Sequence, residues 1–410
     1  MIRSAVLRNT LLVLYQLWLL PLCVANPVAQ LWAPDGVSAD QFGYAVAIDG
    51  ETALVGANQH DEPSRDGGAA YVFERLQGSW VFIAKLTLPE AGLDDRLGHA
   101  VALAGDNALV SASQGSEPGS VHHFRRSGGN WLYQGQLQGE DTRPNDGFGV
   151  ALALDGSLAA VGASKVRHQG QNSGAVYLFR LEDEQFQPVA RLTQSQGQDQ
   201  DLFGIAVALS GDRVLIGASG EDSQGTDSGA AYLFDSEDGQ QWQQRARLLA
   251  EDAARYDRFG NAVSLDHQHL LIAASQADLG PALDAGAAYL YHQRDEQWQL
   301  RHKLQAADPV GGEYFASAVA IHCGQALLGA IGNHLNGQQS GAAYLIDLDQ
   351  PESAAIRLQA PQGQWDDRFG FSVALSQNQA LVGAPGDDDL GSNAGSALLL
   401  ALEPQGCPGE

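Results

Sequence analysis

One dipeptide returns seven times along this chain at a nearly constant interval, and an interval of that size restricts the fold to a stack or ring of equivalent modules. The copies are Phe42-Gly43, Leu97-Gly98, Phe148-Gly149, Phe203-Gly204, Phe259-Gly260, Phe315-Ala316 and Phe369-Gly370, spaced 55, 51, 55, 56, 56 and 54 residues apart. A second motif follows each anchor after about fourteen residues: Val55-Gly56-Ala57, Val110-Ser111-Ala112, Val161-Gly162-Ala163, Ile216-Gly217-Ala218, Ile272-Ala273-Ala274, Leu328-Gly329-Ala330 and Val382-Gly383-Ala384-Pro385. A third begins at Gly68, Gly119, Gly174, Gly229, Gly286, Gly341 and Gly395 and ends five residues later.

Each motif reads as a strand. In 201–234, Phe203 to Leu209 alternates large and small residues, Arg213 to Ala218 is β-rich, and Gly211-Asp212 makes the tight turn a hairpin needs. A fourth strand is expected at Trp80–Leu88, Trp131–Leu137, Phe186–Leu192, Trp242–Leu248, Trp298–Leu304 and Ser353–Leu358. The aromatic that opens five of these strands is read as packing between sheets. Four antiparallel strands repeated seven times predict an all-β fold, a seven-bladed β-propeller. After Leu400 only ten residues remain, so blade seven lacks its own fourth strand. Val28 to Pro34 (VAQLWAP) resembles Ile356 to Pro361 (IRLQAP), and the N-terminal strand is expected to close the ring.

Residues 1–25 form a separate object. Arg3 and Arg8 precede an apolar run from Leu11 to Leu22, with Cys23 and Ala25 at the −3 and −1 positions of a cleavage after Ala25. Lipid attachment at Cys23 is disfavoured by bulky Leu22. The expected division is therefore a signal peptide over 1–25, the propeller over 26–402 and a tail over 403–410, in a secreted or periplasmic protein. The net charge of −26 becomes more negative by two when Arg3 and Arg8 leave. Such a surface repels nucleic acid and anionic lipid, and no membrane insertion of the mature chain is expected. Cys323 and Cys407 remain, and an oxidising compartment predicts a disulfide between them. Cys323 lies in the first-to-second turn of blade six, at the end of the ring where the last strand also exits near Leu402. A monomer is expected.

At these motifs the chain resembles the FG-GAP repeat family, which builds the N-terminal propeller of integrin α chains. The resemblance covers the whole mature chain through its Phe-Gly anchors, Gly-Ala(-Pro) motifs and Gly-Ala-x-Tyr-x-Phe strands, and it implies fold far more than function. Two departures stand out. Only Val382 to Pro385 has the full Gly-Ala-Pro. Calcium-binding members also carry Asp-x-Asp-x-Asp-Gly before that strand, where this chain has turns of a few residues such as Ser376-Gln377-Asn378, which cannot supply a calcium loop.

The first-to-second turns are short, whereas the second-to-third loops and the links between blades are long, polar and variable. Both long sets emerge on one face, which is the expected binding face. An acid precedes every anchor by two residues: Asp40, Asp95, Asp146, Asp201, Asp257, Glu313 and Asp367. Seven carboxylates can attract cations, yet a side chain that fixes its own turn repeats in the same way. A binding site breaks symmetry, so the acids are read as structural. Symmetry breaks in the links of blades five to seven. There, Tyr256, Arg258, Tyr314, Trp365, Asp366 and Arg368 pair flat aromatics with charges and suit a sugar or peptide. Asp387 to Asp389 is read as a solvated loop. His122 and His123 alternate in a strand, and His267, His269 and His322 form the histidine pattern nearest to a metal site. Gly217-Ala218-Ser219-Gly220 is repeat sequence rather than a nucleophile elbow. The reading is a non-enzymatic propeller that binds a protein or glycan, without catalytic residues, cofactor or metal. The alternative is a propeller enzyme acting on polysaccharide.

Overall fold

The computed structural model describes residues 26–402 apart from 63, 89, 91, 113–117, 169–170, 296 and 335. Its strands form seven four-stranded antiparallel sheets, and no helix occurs among the described residues. Blade four consists of Phe203–Ser210, Arg213–Ala218, Ala230–Ser236 and Trp242–Leu248. The expected hairpin turn is present, with Ser210 opposite Arg213 and Gly211 at a φ of 57°.

The second and third strands are buried on both faces, so each is nearly continuous in apolar residues, as in Leu54 to Ala57 and Ala69 to Phe73. Core clusters lie between blades. Leu215 and Leu233 of blade four pack with Phe259, Ile272 and Tyr289 of blade five. Trp80, Phe186, Trp242 and Trp298 pack against these cores and Trp131 lies within one. The reading of these aromatics as inter-sheet packing therefore holds.

The repeated glycines are explained at the seams. A Cβ on Gly162 would lie 2.0 Å from the carbonyl oxygen of Gly204 in the next blade. Gly204, at a φ of 90°, occupies backbone space that favours glycine. The second-strand glycine and the next anchor glycine thus form one contact, which repeats as Gly56 with Gly98, Gly217 with Gly260, Gly329 with Gly370 and Gly383 with Gly43. At the seam of blades five and six both partners are alanine, Ala273 and Ala316, so two of the three departures from glycine occur together; the third, Ser111, faces Gly149.

Asn26–Leu31 pairs antiparallel with Ser396–Ala401 and completes blade seven. Leu31 and Ala33 then bury against Phe42, Tyr71 and Leu399. Some expected bounds shift: the blade-one fourth strand is Ser79–Leu86 and ends before Leu88. In blade six only Ile356–Leu358 pairs, because Gln350 to Ser353 turns back on itself through a bond from Ser353 N to Gln350 O.

Candidate ligand-binding face

The long-loop face is a rigid surface. Among the described residues, six of the seven links bond through their main chain to the second-to-third loop of the preceding blade. In the link to blade five, Tyr256 N donates to Thr226 O at 2.8 Å, Arg258 N to Asp227 O at 3.0 Å and Phe259 N to Ser228 O at 3.0 Å. The same ladder recurs at Asp366, Arg368 and Phe369. Between the rungs, the acid two residues before the anchor turns inward and accepts the backbone N–H three residues earlier. All seven do so: Asp40 from Val37, Asp95 from Gly92, Asp146 from Arg143, Asp201 from Gln198, Asp257 from Ala254, Glu313 from Val310 and Asp367 from Gln364. These carboxylates therefore act as turn-fixing groups, as their repetition suggested.

The residues flanking each acid have positive φ, including Tyr256 at 72°, Arg258 at 57°, Tyr314 at 52°, Asp366 at 66° and Arg368 at 54°. Bulky side chains rarely adopt this conformation, and here the acid and the ladder impose it. Five of the six sequence candidates therefore occupy a repeat-wide backbone geometry that presents their side chains on the face. Trp365 is 66% exposed and Tyr256 45% exposed. The Arg255 guanidinium stacks 4.4 Å from the Tyr256 ring centre, and Arg368 Nε donates to Asp366 Oδ1 at 2.9 Å. The candidates sit on three successive links. Among the described residues no hydrogen bond, ion pair or ring contact joins one link's group to another's.

A pocket that sequence reasoning did not single out opens on the same face between blades three and four. It measures about 540 Å³ and is lined by the link to blade three, the long loop of blade three and the link to blade four. Arg143, Lys165 and Arg167 project there, with Pro144 and Leu202 as apolar walls. All three basic residues are exposed, and none makes an ion pair among the described residues. Arg167 Nε donates instead to Asn172 Oδ1 at 3.0 Å. Two acids share the lining: Asp141, which is taken by Tyr177 and by Arg191 at 3.5 Å, and the turn-fixing Asp146, whose charge acts on Arg143 and Arg167. In a chain with 49 acidic and 23 basic side chains, a concave site where Arg143, Lys165 and Arg167 outnumber Asp141 and Asp146 is a local inversion of the charge balance.

Beneath the links lies a set of internal sockets. In blade one Lys85 Nζ sits 2.7 Å from Asp35 Oδ2 and 2.7 Å from His60 Nε2, which leaves His60 Nδ1–H for Asp40 at 2.8 Å. Asp35, His60 and Glu62 are close enough to share an ion, and the Lys85 ammonium already stands among them. Lys303 meets Asp252 at 2.6 Å in blade five, and Arg247 meets Glu221 in blade four. The histidines singled out from sequence are spread out: His122 meets Ser120, His123 meets Asn107, and His269 meets Asp266. Burial pushes His122 and His123 down to about 4, so both rings are neutral at ordinary pH. Asp387 corrects the solvated-loop expectation: it is buried, and only Asp388 and Asp389 face out. Cys323, in the blade-six turn at a φ of 47°, is disulfide-bonded. Cys407 lies outside the described residues, as do residues 1–25, on which the expectation of a signal peptide rests.

These features define a class: a closed seven-bladed β-propeller with a stiff face of long loops. The FG-GAP repeat family model matches residues 26–73, 80–124, 131–179, 186–234, 242–291, 298–346 and 354–400, one match per repeat, and the chain belongs to that family. No curated protein matches it.

Proposed function

We propose that this protein is a non-enzymatic binding propeller, secreted or periplasmic, that takes a protein or glycan carrying anionic groups on its long-loop face. The observation that carries this reading is the pocket of Arg143, Lys165 and Arg167, three exposed cations that outnumber its two acids, Asp141 and Asp146, in a strongly acidic chain. Acidic sugars and acidic peptide side chains offer the carboxylate or sulfate oxygens that such donors bind. Tyr256 and Trp365, exposed on other links of the same face, extend the surface for stacking. The disulfide state of Cys323 supports an oxidising compartment. Its pairing with Cys407 is tested by thiol counting on the unreduced protein, where two free thiols would reject it.

The binding test is a glycan and peptide array. Acidic ligands are expected to dominate the hits, and Arg143→Ala combined with Lys165→Ala is expected to weaken them about tenfold or more at low salt. Hits that are neutral, or indifferent to both substitutions, would reject this site. The second reading is an enzyme acting on polysaccharide. It is favoured by Asp201 and Asp367, which burial and neighbouring acids push up to about 6. Turnover of an array hit would establish it.

A further inference from the structure

Blades four and seven place two acids at the same pair of positions. In blade four they are Asp201, two residues before the anchor, and Glu221, three residues after Ala218. In blade seven they are Asp367 and Asp387, at the same offsets from Phe369 and Ala384. Each member of both pairs is more than nine-tenths buried.

Blade four neutralises its pair internally. Arg247, on the fourth strand opposite Tyr232, forms an ion pair with Glu221. Gln194 donates to Asp201 Oδ2. Blade seven lacks both partners. The position of Arg247 is taken by Gln30, opposite Leu398 instead of a tyrosine, and the position of Gln194 is taken by Ala360. Five blades carry a cation at this strand position: Lys85, Arg191, Arg247, Lys303 and Arg357. Only blades two and seven carry Gln, as Gln136 and Gln30, and blade seven keeps and enlarges its acid set with Asp388 and Asp389.

The consequence falls on one oxygen. Asp367 Oδ2 accepts the N–H of Gln364 at 2.6 Å, while Asp367 Oδ1 is buried with no hydrogen-bond partner. In blade six the corresponding second oxygen, Glu313 Oε1, accepts from Asn333, the loop residue equivalent to Asp387. Asp367 therefore meets a carboxylate where blade six offers a donor, and the charges acting on it are those of Asp387, Asp388 and Asp389. A buried carboxylate oxygen left without donor or counter-charge is costly. Asp387 itself is held by Ser396 Oγ at 2.5 Å, Asp389 N at 2.9 Å and Gln30 Nε2 at 3.4 Å.

We propose that blade seven binds a divalent cation of the calcium class between Asp367 and Asp387, beside the fourth-strand position where five other blades carry a lysine or arginine of their own. The donors are all hard oxygens: the free Asp367 Oδ1, the Asp387 carboxylate, the Gln30 amide oxygen after a flip of its side chain, and the Ser396 hydroxyl. Water completes the shell. A small ion suits a site whose acids are both buried, and a carboxylate pair prefers calcium to softer metals. The site lies on the long-loop face, opposite the short turns where calcium loops would be sought.

Isothermal calorimetry of calcium into the chelator-treated full chain tests this. A single saturable site is expected, with a dissociation constant on the order of 10⁻⁴ M, together with a rise in melting temperature. Asp367→Asn is expected to weaken binding about tenfold or more. Gln30→Arg restores the guanidinium of blade four, so it should remove the calcium response and raise the melting temperature of the calcium-free protein. Should Asp367→Asn fail to fold, Gln30→Arg still decides. Absence of saturable calcium binding overturns the proposal, and so does a calcium response that survives Gln30→Arg unchanged.

Discussion

The seam between blades three and four and the basic pocket above it are built from the same two repeats under different constraints. At the seam, Gly162 faces Gly204 so closely that no side chain fits, and four other seams meet the same condition. At the pocket, Arg143, Lys165 and Arg167 stand on links and loops whose main chain is held as strictly, while their side chains face solvent. The fold fixes the backbone of the face and leaves its side chains free to differ. Repetition along this chain therefore reports folding, and departure from it marks where a ligand can be read.

Four experiments bear on that contrast. The largest effect is expected from deleting 26–34, which removes the strand that closes blade seven and uncovers the partners of Leu31 and Ala33. A loss of roughly 5 kcal/mol in denaturant unfolding is expected, and co-melting of truncated and full chains would show that the ring closes without this strand. Next is Gly162→Val, whose Cβ would overlap the Gly204 oxygen. It should cost about 3 kcal/mol, whereas Ala273→Gly at the alanine seam should cost about 1 kcal/mol. Equal losses at the two sites would remove the steric account of the repeat.

A smaller effect concerns pH. The carboxyl of Asp201 is held at about 6, mainly by burial and then by Glu221 and Asp222, so the folded chain binds its proton more tightly than the unfolded chain does. Stability from this group is present below about pH 4 and is lost as pH rises to about 6. Asp201→Asn should flatten that decline in a series of thermal melts, and an unchanged slope would assign it to other groups. Smallest of all is the double variant Trp365→Ala with Tyr256→Ala, which should change stability by less than about 0.5 kcal/mol. A larger loss would mean that these exposed rings belong to the scaffold.

The ring, its blade number and its closure were legible in the sequence because each depends on a residue type that recurs: a glycine for want of space, an acid to hold a turn, a leucine to end the outer strand. The basic pocket was not, since Arg143 and Lys165 share no motif and meet only when the link and the loop of blade three lie side by side. Nor was the packing of Tyr44 against His99 and Phe371, whose rings come from three blades and lie 5.4 and 4.9 Å from Tyr44. Gln30 stood in plain view. Aligning the seven fourth strands on their terminal leucine reveals the missing cation, but only the structure shows that Asp367 and Asp387 are buried beneath it.

The pairing of Asn26 with Ala401 brings together the first and last strands of the described chain. Six blades are each made from one continuous stretch and can form as soon as that stretch emerges. The seventh must wait, because the partner of the strand made first is made last. Until then Asn26 to Leu31 has no sheet to join, and the ring remains an open arc with two unsatisfied edges. Completion is thus a late, long-range event in the life of each molecule, slow by the general relation between sequence separation and folding speed.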